Sequence, residues 1–326
     1  MAQSCFPKRL GALLLLAVLS LALSLPALAL FDRTEEDDGQ APIAENFSLS
    51  TYRDVAISGT FSGIDPQGDA LTFRVTKNPA RGSVTLAEDG SGRFTYAPYE
   101  KKTGKDSFTY VAIDPAGHTS QPAEVSVRIE KPDTKVTYAD MDGNPAHKAA
   151  ISLAEREIFV GEKLGQTWFF RPETPVTREE FLALAMDTVE MDTLTQAQLT
   201  GFADDESISA WARPYVASAL GAGMVQGTTA AGEGTTFDPD RVITRTEAAV
   251  ILDRLLRVAD VAGQEDLVSA AAPAWARQSV VNLSAVGVLE GAAETEEALS
   301  APLTRAQAAQ MLQSAIEVLD FREEIW

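Results

Sequence analysis

The sequence has very few of the side chains on which enzymes and metal proteins most often rely. Its 326 residues include one cysteine, Cys5, and two histidines, His118 and His147. A single cysteine excludes an intramolecular disulfide framework and a cysteine-rich zinc site. Neither H-E-x-x-H nor G-x-S-x-G occurs, so these signatures of zinc peptidases and serine hydrolases are absent too. Catalysis that depends on histidine is left with two candidates in the whole chain.

Positive charge is also scarce. The chain has 27 Lys and Arg against 47 Asp and Glu, a formal charge of −20, and most of this excess lies beyond Asp133. Nucleic acids and anionic lipid surfaces bind proteins through a basic footprint. The composition therefore predicts that nucleic acid is not a partner.

Only one long apolar run is present, at residues 10–25. It follows two basic residues, and Pro26 and the small-x-small motif Ala27-Leu28-Ala29 come after it, as in a secretory signal. We expect a signal peptide at 1–29, a secreted chain and no stable membrane span after cleavage. The alternative is an uncleaved membrane anchor, because the run is almost long enough to cross a bilayer.

The mature chain changes in character twice. Residues 30–40 are acidic and polar, as in a linker. Residues 41–131 contain short β-rich runs separated by Gly, Pro and Asp turns, which predicts one immunoglobulin-like β-sandwich. The stretches GSVTLAEDGSGRFTYAP (82–98) and GKDSFTYVAIDPAGHTS (104–120) resemble bacterial cadherin-like surface modules.

The cadherin-like resemblance raises the question of calcium. That family often carries loop aspartates that bind Ca²⁺, which prefers hard oxygen ligands. The matching positions here are Asp65, Asp69, Asp106 and Asp114. Turn aspartates that accept loop N–H groups explain the same pattern. We therefore expect no cofactor, with Ca²⁺ as the alternative in this domain.

From residue 136 onward the pattern is helical and occurs three times. Each copy contains a Thr-Arg motif before an amphipathic stretch, at 175–180, 242–247 and 302–307. A threonine followed three residues later by Glu or Gln predicts a capping box at a helix start. The arginine after each threonine lies at the positive end of the helix dipole, which is locally unfavourable. An arginine beside free helix N–H groups can receive a carboxylate, so these arginines indicate a binding role.

Further elements recur around the motif. Trp211 leads to Gly227 and Trp275 leads to Gly291, each across the same number of residues, and Phe237-Asp-Pro239 precedes the second Thr-Arg motif. Together the three copies resemble S-layer homology domains. The resemblance implies an all-α three-repeat spindle that binds secondary cell-wall polysaccharide, with the arginine contacting an acidic substituent such as a pyruvate ketal. The expected repeats are 136–190, 201–258 and 265–320.

The sequence thus predicts a multidomain protein, an all-β Ig-like sandwich followed by the S-layer homology repeats. The expected function is non-catalytic attachment to the cell wall at the cell surface, with self-assembly as a further option. The alternatives are a wall glycan- or peptide-processing enzyme and an adhesin whose β domain binds an external ligand. Tryptophans at helix starts are more often core residues than sugar contacts, but both are retained as candidates. The candidate polysaccharide-binding residues are Thr177, Arg178, Asp204, Trp211, Gly227, Thr244, Arg245, Trp275, Gly291, Thr304 and Arg305, with Arg245 ranked first.

Overall fold

The computed structural model describes residues 39–194, 199–229, 234–261, 272–289 and 295–325. The expected signal peptide (1–29), most of the expected acidic linker (30–40) and Gly291 lie outside these ranges. The chain divides into two compact units, 1–38 and 39–326, and the description below concerns the second. No helix within the described ranges is both long and apolar enough to cross a membrane.

Residues 43–130 form a β-rich domain of two main sheets. The four-stranded sheet has the order β2-β9-β8-β5, with β2 and β9 parallel, and the three-stranded sheet has the order β3-β7-β6. β1 pairs with β4. The strands are β1 (Ile43–Ala44), β2 (Phe47–Tyr52), β3 (Ile57–Thr60), β4 (Gly63–Ile64), β5 (Thr72–Lys77), β6 (Gly82–Leu86), β7 (Arg93–Pro98), β8 (Gly104–Ile113) and β9 (Ala123–Glu130).

The β domain is held by an aromatic core between its sheets. Buried and exposed residues alternate along β9, because successive side chains point to opposite faces of a strand. Phe61 stacks on Tyr110 and on Phe94, with ring centroids 4.1 and 4.5 Å apart. Phe108 lies edge-on to Phe94 at 5.5 Å. The expected β-rich N-terminal domain is therefore confirmed.

Residues from 147 onward form a helical region that also contains two short hairpins. The hairpins are β10 with β11 and β12 with β13, so the expectation of an all-α region was wrong in this detail. The second strands of the hairpins, Thr167–Phe169 and Thr235–Thr236, lead directly into the Phe-x-Pro turns at Phe170 and Phe237. The elements are α1 (His147–Glu155), β10 (Glu162–Leu164), β11 (Thr167–Phe169), α2 (Arg178–Thr188), α3 (Arg213–Gly221), β12 (Thr228–Thr229), β13 (Thr235–Thr236), α4 (Arg245–Leu256), α5 (Arg277–Ala285), α6 (Glu296–Ser300) and α7 (Arg305–Ile325).

Three extended segments, one before each Thr-Arg motif, meet at the centre of the helical region. The N–H of Val176 donates to the carbonyl of Leu303 at 2.9 Å, and that of Leu303 donates to Ile243 at 2.9 Å. The N–H of Ile243 donates back to the carbonyl of Val176 at 3.1 Å. All three side chains are buried. The copies are thus joined by a closed ring of three backbone hydrogen bonds.

The β domain and the helical region are in direct contact. Tyr52 and Val55 of the β domain belong to the apolar core of the helical region. The Tyr52 hydroxyl donates to Glu155 Oε2 at 2.6 Å, and the N–H of Asp133 donates to Glu155 Oε1 at 2.6 Å. The end of α1 is therefore bonded both to the β domain and to the connecting segment.

Candidate functional site

The three capping threonines have the local structure that their sequence predicts. In each copy the threonine hydroxyl accepts from the N–H three residues later, at 3.3 Å, and that residue's side chain accepts from the threonine N–H. These reciprocal bonds satisfy two otherwise unpaired N–H groups at each helix start. The pairs are Thr177 with Glu180, Thr244 with Glu247 and Thr304 with Gln307. The threonines therefore position the arginines that follow them.

The arginine after each threonine is bound to the next copy around the ring. Its backbone N–H donates to a carbonyl of that copy, in the pairs Arg178 to Arg241 (2.9 Å), Arg245 to Ala301 (3.3 Å) and Arg305 to Thr174 (2.9 Å). The first helical residue of each copy is thus held at a junction between copies. A groove at such a junction takes its arginine from one copy and its remaining walls from others.

Arg178 crosses its junction and lies against the Phe-x-Pro turn of the second copy. Its guanidinium is 5.1 Å from the ring centroid of Phe237, and Nη1 is 3.8 Å from Glu247 Oε1. Only 11% of the side chain is exposed, and burial lowers the pKa of Arg178. Its Nε is buried without a hydrogen-bond partner in the described part of the chain. The ring and the carboxylate offset the unfavourable helix dipole at this position.

Glu247 is shared between its helix cap and two arginines. Its carboxylate receives Arg241 Nη1 at 3.0 Å and Nη2 at 2.6 Å, besides the Thr244 N–H at 3.1 Å. Burial favours the neutral acid, but the Arg241 and Thr244 hydrogen bonds outweigh burial and lower the pKa of Glu247. Glu247 is consequently ionised and its charge is largely compensated.

The Arg178 groove is a depression of about 250 Å³ beside this cluster. Arg178, Glu247, Arg254 and Trp275 line it, together with the backbone around Gly227. Arg254 Nη1 is fixed by a 2.9 Å hydrogen bond to the carbonyl of Met224. The lining residues that the structure describes include two guanidinium groups and one carboxylate, an excess of positive charge that favours an anionic ligand.

Arg305 is held more tightly in the corresponding position between the third and first copies. Its Nε donates to the carbonyl of Phe170 at 2.6 Å. Its guanidinium lies 4.4 Å from the ring centroid of Phe159 and 5.3 Å from that of Phe170. Burial lowers the pKa of Arg305. The guanidinium group of Arg305 therefore helps to join the third copy to the first.

The Arg305 groove is a depression of about 350 Å³. Glu180, Asp187, Trp211 and Tyr215 line it with Arg305. The Tyr215 hydroxyl donates to Asp187 Oδ2 at 3.3 Å. Burial raises the pKa of Asp187, although the Tyr215 hydrogen bond opposes this shift. In the described part of its wall this groove has two carboxylates and one guanidinium group.

The two tryptophans are surface residues. Trp211 is 51% exposed and Trp275 is 63% exposed, so the core role expected for tryptophans at helix starts was wrong. Each lines a groove whose arginine comes from another copy. Their exposure makes them available as flat apolar contacts for a ligand.

Two of the other candidates have a role in holding the second copy together. Asp204 Oδ1 and Oδ2 accept the N–H groups of Phe237 and Asp238, both at 2.8 Å, so Asp204 holds the Phe-x-Pro turn. Its expected role as a sugar contact stays a prediction. Gly227 has φ +70°, and a Cβ there would lie 2.5 Å from the carbonyl oxygen of Thr236. Only glycine fits this close approach, and Gly227 also lines the Arg178 groove.

The four calcium candidates do not form a common site. Among the described residues no group of three or more His, Cys, Asp and Glu side chains is arranged to hold a metal ion. Asp106 accepts from the backbone N–H groups of Ala80 and Arg81 and from the Tyr96 hydroxyl, at 2.8–2.9 Å. These donors stabilise the charged form, so the pKa of Asp106 is lowered despite its burial.

Two of the remaining calcium candidates, Asp65 and Asp114, accept hydrogen bonds from nearby protein groups. Asp65 Oδ1 accepts from the N–H groups of Gln67 and Asp69, at 2.9 and 3.0 Å, as expected for a turn aspartate. The carboxylate of Asp114 accepts from the N–H of His118 and contacts its Nδ1, both at 2.8 Å. The turn interpretation thus describes these aspartates better than the calcium interpretation.

Sequence reasoning missed three groove residues. Asp187 and Arg254 both lie ten residues after a capping threonine, and Tyr215 lies on α3 opposite Asp187. Aligning the sequences of the first two copies on their capping threonines would have shown that the position ten residues later is Asp187 in one and Arg254 in the other. The same alignment does not show which copy faces this position, because that contact crosses between repeats.

Comparison with known families agrees with this organisation. The family model of the bacterial cadherin-like domain matches residues 39–131. The S-layer homology domain matches residues 137–182 and 201–249. The chain contains both kinds of domain. It is a secreted, cell-wall-associated surface protein.

This chain spans only a small part of the length of the curated relatives that it matches. An amylopullulanase of Thermoanaerobacterium thermosulfurigenes is 24% identical over 86% of this chain and 14% of its own length. A surface-layer 125 kDa protein of Lysinibacillus sphaericus is 33% identical over 40% of this chain and 11% of its own length. The SrpA adhesin R347E mutant of Streptococcus sanguinis is a solved structure with 16% identity and a TM-score of 0.25, over 32% of this chain and 62% of that one.

Proposed function

We propose that the chain is a non-catalytic anchor that binds an acidic secondary cell-wall polysaccharide and presents its cadherin-like domain at the cell surface. The observation that carries this proposal is the Arg178 groove. It combines a half-buried cluster of guanidinium groups with an exposed indole, Trp275, at a junction between copies. Guanidinium groups bind carboxylates strongly, and an indole offers a flat face to a sugar ring.

We also assign a third S-layer homology repeat to residues 265–320. Leu303 completes the backbone ring, and Thr304 and Gln307 form a cap of the same geometry as in the other copies. Arg305 then forms one wall of a groove with residues of the first and second copies. Without a third copy, the ring would stay open and this groove would lack its arginine.

The geometry favours Arg178 over Arg245 as the principal anion contact. Arg178 lines a groove together with Arg254 and Trp275. In the third copy Gln307 replaces the capping glutamate, and the tryptophan position at the start of the first copy's helix is taken by Pro145. At the junction of Arg245, the positions that supply the carboxylate and the indole in the other two grooves thus carry Gln307 and Pro145.

Co-sedimentation with purified cell walls tests the proposal. We expect the mature protein to sediment with walls that retain the secondary polymer and to stay in solution after the polymer is extracted. Arg178→Ala should weaken binding about tenfold or more, because it removes a charge-assisted contact. Arg128→Ala is the matched control, since Arg128 is a well-exposed arginine of the β domain. Equal binding to extracted and intact walls would contradict the proposal.

A further inference from the structure

The Arg178 and Arg305 grooves are related by the repeat but differ in charge at one position. Asp187 follows Thr177 by ten residues, and Arg254 follows Thr244 by the same ten. Both side chains line their groove. The difference therefore reverses the charge of equivalent points on α2 and α4.

In the Arg178 groove this position adds to the positive charge. Arg254 faces the same space as Arg178, while the carboxylate of Glu247 is already occupied by Arg241. The Nε of Arg178 is buried and makes no hydrogen bond within the described residues. Among the described lining residues, a carboxylate on a ligand would find two guanidinium groups and one compensated acid.

In the Arg305 groove the same position adds to the negative charge. Asp187 and Glu180 both face the space, and Arg305 already donates its Nε to the carbonyl of Phe170. A ligand carboxylate would meet two like charges, which destabilises its binding. An acid-bearing sugar is thus disfavoured in this groove.

The remaining walls of the Arg305 groove are suited to an uncharged sugar. Trp211 is half-exposed and presents a flat apolar surface to the groove. Asp187 and Tyr215 form a hydrogen-bonded pair at 3.3 Å beside it. A sugar ring has an apolar C–H face for the indole and hydroxyl groups that can donate to the carboxylate.

We propose that the two grooves read different units of one polymer: the Arg178 groove binds a sugar that carries a carboxylate, and the Arg305 groove binds a sugar without one. The residue ten positions after the capping threonine sets this choice. The inference rests on the proposed polysaccharide-binding function. It extends that function by giving each groove its own ligand class.

Carboxyl reduction of the polymer separates the two classes. The probes are the purified secondary polymer and the same polymer after carbodiimide activation and borohydride reduction, which converts carboxylates to alcohols. Immobilised mature protein is titrated with both. The variants are Arg178→Gln for the first groove, Trp211→Ala for the second and Asp187→Asn for the charge alone, with each fold verified by thermal unfolding.

The expected result is an opposite pattern for the two groove variants. Arg178→Gln should bind the intact polymer about tenfold less tightly and the reduced polymer as tightly as wild type does. Trp211→Ala should bind the reduced polymer about tenfold less tightly, since the neutral sugar loses its apolar contact. Asp187→Asn should keep the fold and bind the intact polymer more tightly than wild type, because one like charge is removed.

Two failures are distinguishable. If the wild type binds neither polymer, the proposed function fails together with the inference. If the wild type binds the intact polymer only, or if Arg178→Gln and Trp211→Ala reduce binding to both polymers equally, the inference alone is overturned. If Trp211→Ala does not fold, Trp211→Leu is measured in its place. Leucine keeps an apolar side chain but has no flat ring.

Discussion

The hydroxyl of Tyr52 in the β domain donates a 2.6 Å hydrogen bond to the carboxylate of Glu155 at the end of α1. The same carboxylate accepts the backbone N–H of Asp133 in the connecting segment. Burial, and then the hydrogen bond to Glu155, raise the pKa of Tyr52 well above its usual value of 10.0. One carboxylate thus fixes the β domain, the connecting segment and the first repeat to each other.

Removal of this hydroxyl should loosen the connection. Tyr52→Phe deletes a hydrogen bond to a charged group, a loss of about 1.5–3 kcal/mol. We expect trypsin to cut after Lys135 several-fold faster in the variant, as followed by mass spectrometry of the fragments. Tyr99→Phe is the control, because Tyr99 is half-exposed. Equal cleavage rates in wild type and Tyr52→Phe would show that the connection does not depend on this bond.

The connection between the β domain and the first repeat should also weaken at alkaline pH. The pKa of Tyr52 is raised in the folded protein, so its contribution to stability is complete below pH 10.0 and is lost as the pH rises toward the raised value. We expect tryptic cleavage of the connecting segment to accelerate above about pH 10 in wild type, relative to cleavage of an unfolded substrate. Tyr52→Phe should lack this acceleration, and the same pH profile in both proteins would refute the assignment.

Glu247 should make the helical region sensitive to acid. The pKa of Glu247 lies below its usual value of 4.5, so the carboxylate stabilises the fold above that pH. This contribution is lost as the pH falls through the lowered pKa. Urea unfolding at pH 7 and at about pH 3 should show a smaller decrease in the free energy of unfolding for Glu247→Gln than for wild type. Glu297→Gln, on the surface of α6, serves as the comparison, and an equal decrease in all three proteins would count against the role of Glu247.

Gly227 and Gly223 form a matched pair for backbone substitution. Both have positive φ, +70° and +72°, but only at Gly227 would a Cβ collide with neighbouring atoms. Gly223→Ala should cost about 1–2 kcal/mol from its backbone conformation alone. Gly227→Ala should cost several kcal/mol, because the Cβ would also meet Thr236 and Phe202. Urea unfolding measures both, and similar losses would mean that the close approach relaxes.

The β domain should unfold at the same temperature with millimolar calcium and with EDTA. Asp106 is occupied by protein donors, and Asp65 and Asp114 hold their own turns. Asp106→Asn should lower the melting temperature under both conditions, because a carboxamide presents one acceptor oxygen where the carboxylate presents two. A rise of several degrees with calcium in wild type, absent in Asp65→Asn, would restore the metal interpretation.

The helix caps could be predicted from the sequence because they depend on four consecutive residues. Thr177 and Glu180 meet wherever the helix begins, whatever lies around it. The arginine at the helix start was recognised as unusual for the same reason. Its partners were not predictable, because Phe237 is far from Arg178 along the chain and approaches it only through the ring of repeats.

The exposure of the tryptophans could not be predicted from local pattern. A tryptophan at a helix start packs inward or outward depending on which copy lies beside it, and the sequence of one repeat does not contain that information. A comparison of the copies could have identified Asp187 and Arg254. Their effect on a ligand could not be predicted, because it depends on which residues of other copies line the same groove. Local hydrogen bonding could therefore be predicted from the sequence, whereas contacts between copies could be identified only from the structure.

The hydrogen-bond ring of Val176, Ile243 and Leu303 has a consequence for how such a region can evolve. Each copy donates to one neighbour and accepts from the other, so the order of copies is cyclic, and α1 packs beside α7 where the ring closes. A gene that begins with the second copy and ends with the first could encode the same ring. A fourth copy would find no free backbone partner in this closed ring of three hydrogen bonds.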